Sequence, residues 1–123
     1  MAKILVVEDS ITGVQVIQDI LKETNHEVIT AADGEEAERK ARNEAVNLII
    51  LDVIMLKKNG FQVCRDLRTD KKLDNIPIIM VSAEKRESDR AWGLKQGATE
   101  YITKPFTPLD LLLAVKKHLK KKE

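Results

Sequence analysis

Leu48-Ile-Ile-Leu51 is an uninterrupted apolar run closed by an acid, Asp52. A run this short, without a polar residue in it, suits a strand covered on both faces rather than one with a wet face. Strands of that kind build parallel sheets sandwiched between helices, which restricts the chain to an α/β architecture. In open sheets of this class, ligands gather outside the carboxyl ends of the strands. Asp52 stands at such an end, so the remaining sequence has to show what joins it there.

Four more segments read as strands. Ile4-Leu-Val-Val7 is mostly β-branched and ends in Glu8-Asp9; Glu27-Val-Ile-Thr30 is short; Ile78-Ile-Met-Val81 follows Pro77 and ends at Ser82; Thr99–Thr103 ends at Lys104-Pro105. Helical patterns lie between and after them. Ser10 or Asp9 caps a helix with apolar positions Ile11, Val14, Ile17, Ile20 and Leu21. Asn25-His26 is a turn. Asp33-Gly-Glu-Glu36 has the form of a capping box, followed by a small-residue stripe at Ala37, Ala41 and Ala45. Asn59-Gly-Phe-Gln62 starts a helix through Phe61, Cys64 and Leu67, and Asp70 to Asn75 reads as a solvated loop. Residues 86–96 form a helix with Gly97 past its end. Thr107-Pro108-Leu-Asp110 supplies an N-cap, a proline at N1 and an acid at N3. Leu109, Leu112, Leu113, Val115 and Leu119 would line that last helix, whose lysine-rich end, Lys116 to Lys122, suits a helix C-terminus.

The alternation is therefore strand–helix five times over, with right-handed crossovers between parallel neighbours. A chain of 123 residues is one domain by length, and one of this size buries roughly two-thirds of its unfolded surface. The reading is a single unit over residues 1–123 with no output domain. The net charge of +1 provides no bulk field to recruit nucleic acid or a membrane surface. No apolar run approaches the roughly 20 residues of a membrane span, and Met1-Ala2-Lys3 enters a strand at once, so no leader is expected. The single cysteine, Cys64, has no partner within the chain, which makes a reducing, cytoplasmic setting the default.

Four strand ends carry polar groups: Glu8 and Asp9, Asp52, Ser82 and Lys104. Singly each has an ordinary explanation as a cap, a turn or a local hydrogen-bonder. In a parallel sheet all four ends share one edge, which puts three carboxylates, a hydroxyl and an ammonium in one crevice. Two like charges about 4 Å apart repel by roughly 4 kcal/mol at an effective dielectric near 20, so cations have to offset them. Lys104 is one. All-oxygen ligands suit Mg²⁺, which takes few carboxylates, waters and a substrate phosphate; without histidine or cysteine at the edge, zinc is a poor fit. A carboxylate in such a site can attack phosphorus and form an aspartyl phosphate, with Lys104 and the metal balancing the phosphoryl charge and Ser82 donating a hydrogen bond.

With Glu8-Asp9, Asp52, Ser82 and Tyr101-Ile-Thr-Lys-Pro-Phe106 in place, the chain resembles, end to end, the receiver domain of two-component response regulators in its stand-alone, CheY-like form. The resemblance implies a flavodoxin-like (βα)5 sandwich with parallel strand order 2-1-3-4-5. It implies that Asp52 accepts phosphate from a histidine kinase or phosphotransfer domain. Glu8, Asp9, Asp52 and the Ile54 carbonyl would hold Mg²⁺, Lys104 would contact phosphate, and Lys104-Pro105 would be cis. It implies a switch in which Ser82 moves inward and Tyr101 follows, reshaping the surface of residues 85–119 for a downstream protein. A monomer is expected, with a phosphorylation-dependent dimer as the alternative, and no direct contact with nucleic acid. The segment Ala91-Trp-Gly-Leu-Lys-Gln-Gly-Ala98 resembles receivers of type IV pilus (twitching) chemosensory systems; otherwise Trp92 fills space between helix and sheet.

The chain departs from the family at Leu56, where a proline is usual four residues after the acid; a less rigid loop is expected there, with phosphorylation retained. By the same resemblance, Ile54 and Glu84 would occupy the two positions that tune phosphate loss. Cys64 is expected to pack rather than to sense oxidants, His26 and His118 to sit on the surface, and the terminal lysines to be solvated. The competing functions are a Mg²⁺-dependent phosphatase of the haloacid-dehalogenase type, a flavodoxin-like cofactor carrier and a receiver cut from a DNA-binding regulator. The phosphatase needs a second acid where Ile54 stands. The carrier needs a phosphate at a helix start that Glu8-Asp9 would repel.

Overall fold

The computed structural model describes residues 1–120. Among them the order is β1 (Lys3–Val7), α1 (Ile11–Leu21), β2 (Glu27–Ala31), α2 (Gly34–Asn43), β3 (Leu48–Asp52), α3 (Gly60–Thr69), β4 (Ile78–Ser82), α4 (Glu87–Gln96), β5 (Glu100–Thr103) and α5 (Pro108–Lys120). The strands form one parallel sheet in the order β2-β1-β3-β4-β5. The fold is the flavodoxin-like arrangement expected, doubly wound around β1 and β3.

Alternation along the strands divides the interior in two. Leu5, Val7, Ile49, Leu51, Ile78 and Met80 face α2, α3 and α4, meeting Ala37, Ala41, Val63, Cys64 and Leu67. Ile4, Val6, Leu48, Ile50, Ile79 and Val81 face α1 and α5, meeting Ile17, Leu21, Leu111, Ala114 and Val115. The β1, β3 and β4 residues named are fully buried. That is why their segments read as continuous apolar runs rather than alternating ones.

The helix starts follow the expected chemistry. Ser10, Asp33 and Asn59 accept hydrogen bonds from the N–H groups of Gly13, Glu36 and Gln62. Thr107 and Asp110 bond reciprocally. The Glu36 carboxylate reaches back to the N–H of Ala32 rather than to that of Asp33. Gly97 takes a left-handed φ of 114° at the end of α4.

Several side chains fall elsewhere than expected. The buried stripe of α5 is Leu111, Ala114, Val115 and His118, whereas Leu109 and Leu113 are exposed. A helix carrying leucine at 109, 111, 112 and 113 does not declare its inner face by hydropathy alone. His118 is thus in the interior, its Nε2 2.6 Å from Glu100 Oε1, and not on the surface. His26 is half-buried and accepts a hydrogen bond from the Ala2 N–H. Ile11 is exposed in the first turn of α1, and α2 ends before Ala45, which is exposed at φ 55°. Trp92 is half-exposed with the Lys95 ammonium over its ring, while Gly93 is the buried residue of α4, so the indole does not fill the helix–sheet gap. The 70–75 segment is only partly solvated. The Arg68 guanidinium donates to the carbonyls of Leu73, Asp74, Ile76 and Gly97, drawing Leu73 inside. The lysine-rich tail runs past the described residues at 121.

Candidate functional site

Parallel pairing places the carboxyl ends of the strands side by side. Asp52 pairs with Val81 and Ser82 with Thr103, while Val7 pairs with Leu51. The backbone carries the edge onward: Val53 N–H donates to Val81 O and Lys104 N–H to Ser82 O. Glu8, Asp52, Ser82 and Lys104 therefore meet in one crevice. The peptide bond from Lys104 to Pro105 is cis, as expected.

Asp52 and Glu8 are buried, at 5% and 3% exposure. The Lys104 ammonium lies between them, 3.1 Å from Asp52 Oδ1 and 3.6 Å from Glu8 Oε1. One cation faces two carboxylates there, and the deficit falls on Glu8. Its carboxyl is pushed up to about 7, first by burial and then by its hydrogen bond and charge repulsion with Asp52, against the opposing pull of Lys104. Among the described residues its Oε2 is buried without a hydrogen-bond partner, which is costly unless something completes it. Helix α1 makes room for this group at Gly13, where a Cβ would run into the Glu8 carboxylate.

Asp9 behaves differently from its neighbour. Its Oδ2 accepts a 2.6 Å hydrogen bond from the Leu56 N–H, across to the loop that follows β3. Among the described residues, no three His, Cys, Asp or Glu side chains are gathered closely enough to hold a metal. The donor set still suits a hard cation. It is all oxygen, in excess of negative charge, and contains a buried oxygen without a partner.

Ser82 is fully buried, and its Oγ accepts from the Glu84 N–H at 3.0 Å. The Tyr101 ring is inside, against Gly93 and Met80, with its hydroxyl donating to Glu84 O at 2.8 Å. The expected switch residue thus already occupies the inward position. Ile54, two residues past Asp52, is about half-exposed. Cys64 lies in the core, where burial pushes its thiol up to about 11, so it is a packing residue.

Three contributors escaped sequence reasoning. Gly13 admits Glu8. Gly60 allows α3 to start against the backbone of Asp52 and Val53. The Leu56 N–H engages Asp9. A glycine in the first turn of each of two helices was a visible signal for the first two; a backbone donor leaves no signal.

A family model described as response regulator receiver domain matches residues 4–116. The chain is 44% identical to the alkaline phosphatase synthesis transcriptional regulatory protein PhoP of Bacillus subtilis, over 98% of its own length and 50% of that protein's. It spans about half the length of the transcriptional regulators it matches. It is 36% identical to Protein PilH of Pseudomonas aeruginosa over 94% of this chain and 95% of that one. In structure it matches chemotaxis protein CheY4 of Vibrio cholerae with a TM-score of 0.88, 37% identity and coverage of 95% and 98%.

Proposed function

The chain belongs to the response regulator receiver domain family, and from that premise we propose that Asp52 is the phosphoacceptor of a signalling switch. The observation that carries this reading is the buried Asp52 carboxylate with the Lys104 ammonium 3.1 Å away at the carboxyl edge of the sheet. An Asp52 oxygen attacks the phosphorus of a phosphohistidine on a kinase or phosphotransfer domain. The new P–O bond replaces the P–N bond, and the imidazole leaves. Lys104 turns from Asp52 to a phosphoryl oxygen, and the Ser82 hydroxyl donates to another. Glu8, Asp9 and Asp52, with the Ile54 carbonyl, would hold Mg²⁺. When bound, the ion supplies the positive charge that this acid-rich edge lacks.

The protein catalyses only its own phosphorylation and dephosphorylation. Output follows from a shift between two conformations that bind phosphate unequally. Ser82, Glu84 and Tyr101 already form one hydrogen-bonded group, so a pull on Ser82 is felt by the Tyr101 ring under α4. The surface of residues 85–119 is then read by a downstream protein. The unit acts as a monomer or as a phosphorylation-dependent dimer, in the cytoplasm, without touching nucleic acid. Among the described residues no helix is long and apolar enough to cross a membrane.

The match to Protein PilH over nearly its whole length, together with the Ala91–Ala98 resemblance, favours a stand-alone receiver in a motility or chemotaxis-like pathway. A second reading, a receiver belonging to a longer transcriptional regulator, is favoured by the higher identity to PhoP.

The deciding experiment is acetyl phosphate with Mg²⁺, read by intact mass, on this chain and on Asp52→Asn. Gain of one phosphoryl group on the first alone is expected. Gain on neither, or equal gain on both, defeats the assignment. Loss of the phosphoryl group is expected to be slow, because the aliphatic Ile54 cannot orient an attacking water by hydrogen bonding. Ile54→Asn should shorten the phosphate half-life several-fold; an unchanged or longer half-life contradicts the role given to that position.

A further inference from the structure

The two acids that follow β1 are in opposite states. Glu8 is buried, and among the described residues its Oε2 has no hydrogen-bond partner. Asp9 is held by the Leu56 N–H at 2.6 Å, across 47 positions of sequence. That is a short, charge-assisted hydrogen bond. Among the described residues it is the hydrogen bond made to the Asp9 carboxylate.

Residue 56 contributes this bond through its backbone alone. The Leu56 side chain is 93% exposed, so it neither packs the loop nor shields the bond. Any residue except proline offers the same donor.

Resting on the reading of Asp9 as a Mg²⁺ ligand, we infer that the Leu56 N–H is a latch that withholds Asp9 from the cation. The Asp9 oxygen that accepts from Leu56 is engaged by the β3–α3 loop, and among the described residues Glu8, Asp9 and Asp52 do not form one cluster. Bringing Asp9 into the site with Glu8 and Asp52 breaks the bond. The apparent affinity for Mg²⁺ is then the intrinsic affinity reduced by the fraction of molecules in which Asp9 is unlatched. The same bond couples the cation to the loop: when Asp9 turns to the site, the segment from Ile54 to Lys58 loses its tie to the end of β1.

The test is a Mg²⁺ titration by calorimetry at neutral pH on the wild type, Leu56→Pro, Leu56→Ala and Asp9→Asn. Leu56→Pro deletes the donor and should bind Mg²⁺ about three- to tenfold more tightly. Leu56→Ala keeps the donor and should stay within about twofold of the wild type. If Leu56→Pro has a native circular dichroism spectrum and binds no more tightly, the latch is wrong.

Proline also restricts Met55 to extended backbone, so that variant can fail to fold. The wild-type Leu56 amide resonance covers that case. It should move upfield and exchange faster with solvent as Mg²⁺ is added; a resonance unmoved at saturation overturns the latch. Asp9→Asn separates this inference from the reading beneath it. An Asn variant that binds Mg²⁺ as the wild type does, or a wild type that binds none, overturns the ligand assignment and the latch together. A weakened Asn variant beside an unimproved proline variant overturns the latch alone.

Discussion

In metal-free buffer, Glu8→Gln should gain stability over the wild type as pH rises, the difference growing by about 3 kcal/mol between pH 4.5 and about 8. The cause is the crevice itself. Burial, with Asp52 beside it, raises the folded-state pKa of Glu8 from an ordinary 4.5 to about 7. At low pH the carboxyl is protonated in both folded and unfolded chains, and its favourable contribution is fully present. Between the two values the unfolded chain releases a proton that the folded chain keeps, so stability falls as pH rises through 7. Glutamine copies the neutral acid and does not titrate, so it escapes that loss. Urea unfolding of both proteins across this range measures it, and a difference that does not change with pH would falsify the account. The wild-type side chain is therefore a stability defect at working pH, of the kind that a functional site retains. In the reading proposed for this edge, a bound cation is what offsets it.

Gly60→Ala should cost about 3 kcal/mol, at the upper end of what overpacking usually does, and should impair labelling of Asp52 as well. A Cβ at position 60 would overlap the carbonyl oxygen of Asp52 and lie 2.7 Å from the Cα of Val53. Both are backbone atoms, and the Gly60 N–H is itself held to Val53 O at 2.7 Å. Neither side of the contact can yield without shifting Asp52, the residue proposed as phosphoacceptor. Gly34→Ala is the control. Its Cβ would meet one methyl of Val63, at 2.9 Å, and a side-chain methyl can move. Denaturant midpoints and acetyl phosphate labelling of both variants decide the matter. Equal losses in the two, or a Gly60→Ala protein that labels at the wild-type rate, would show that the α3 start does not position Asp52.

The fold was legible because its signals are local and redundant. Each of β1, β3 and β4 is an apolar run too short for a helix, and each helix start carries a capping side chain, at α4 the Asp89 carboxylate accepting from the Arg86 N–H. Parallel pairing gives the strand ends one shared edge, which groups Glu8, Asp9, Asp52, Ser82 and Lys104 from the sequence; in the structure Asp9 instead accepts from the Leu56 N–H. Reading was least secure where hydropathy was degenerate. Leucines around most of α5 concealed that Leu111 and His118 face the core while Leu109 and Leu113 do not. Arg68 gave no hint that it would tie down the polar 70–75 segment, because its acceptors are carbonyls that every sequence possesses.

What the sequence determined by itself was the set of chemical groups at the edge and the reason they share it. Strand periodicity and topology suffice for that. Only the tertiary structure decided how those groups divide their partners. Lys104 is spread over two acids, Glu8 has a buried oxygen unmet among the described residues, and Asp9 is claimed by a backbone N–H from another loop. The physical reason is that charge balance and hydrogen bonding depend on distances of a few ångströms between segments far apart in the chain. A backbone donor, unlike a side chain, is written at nearly every position and so marks none of them.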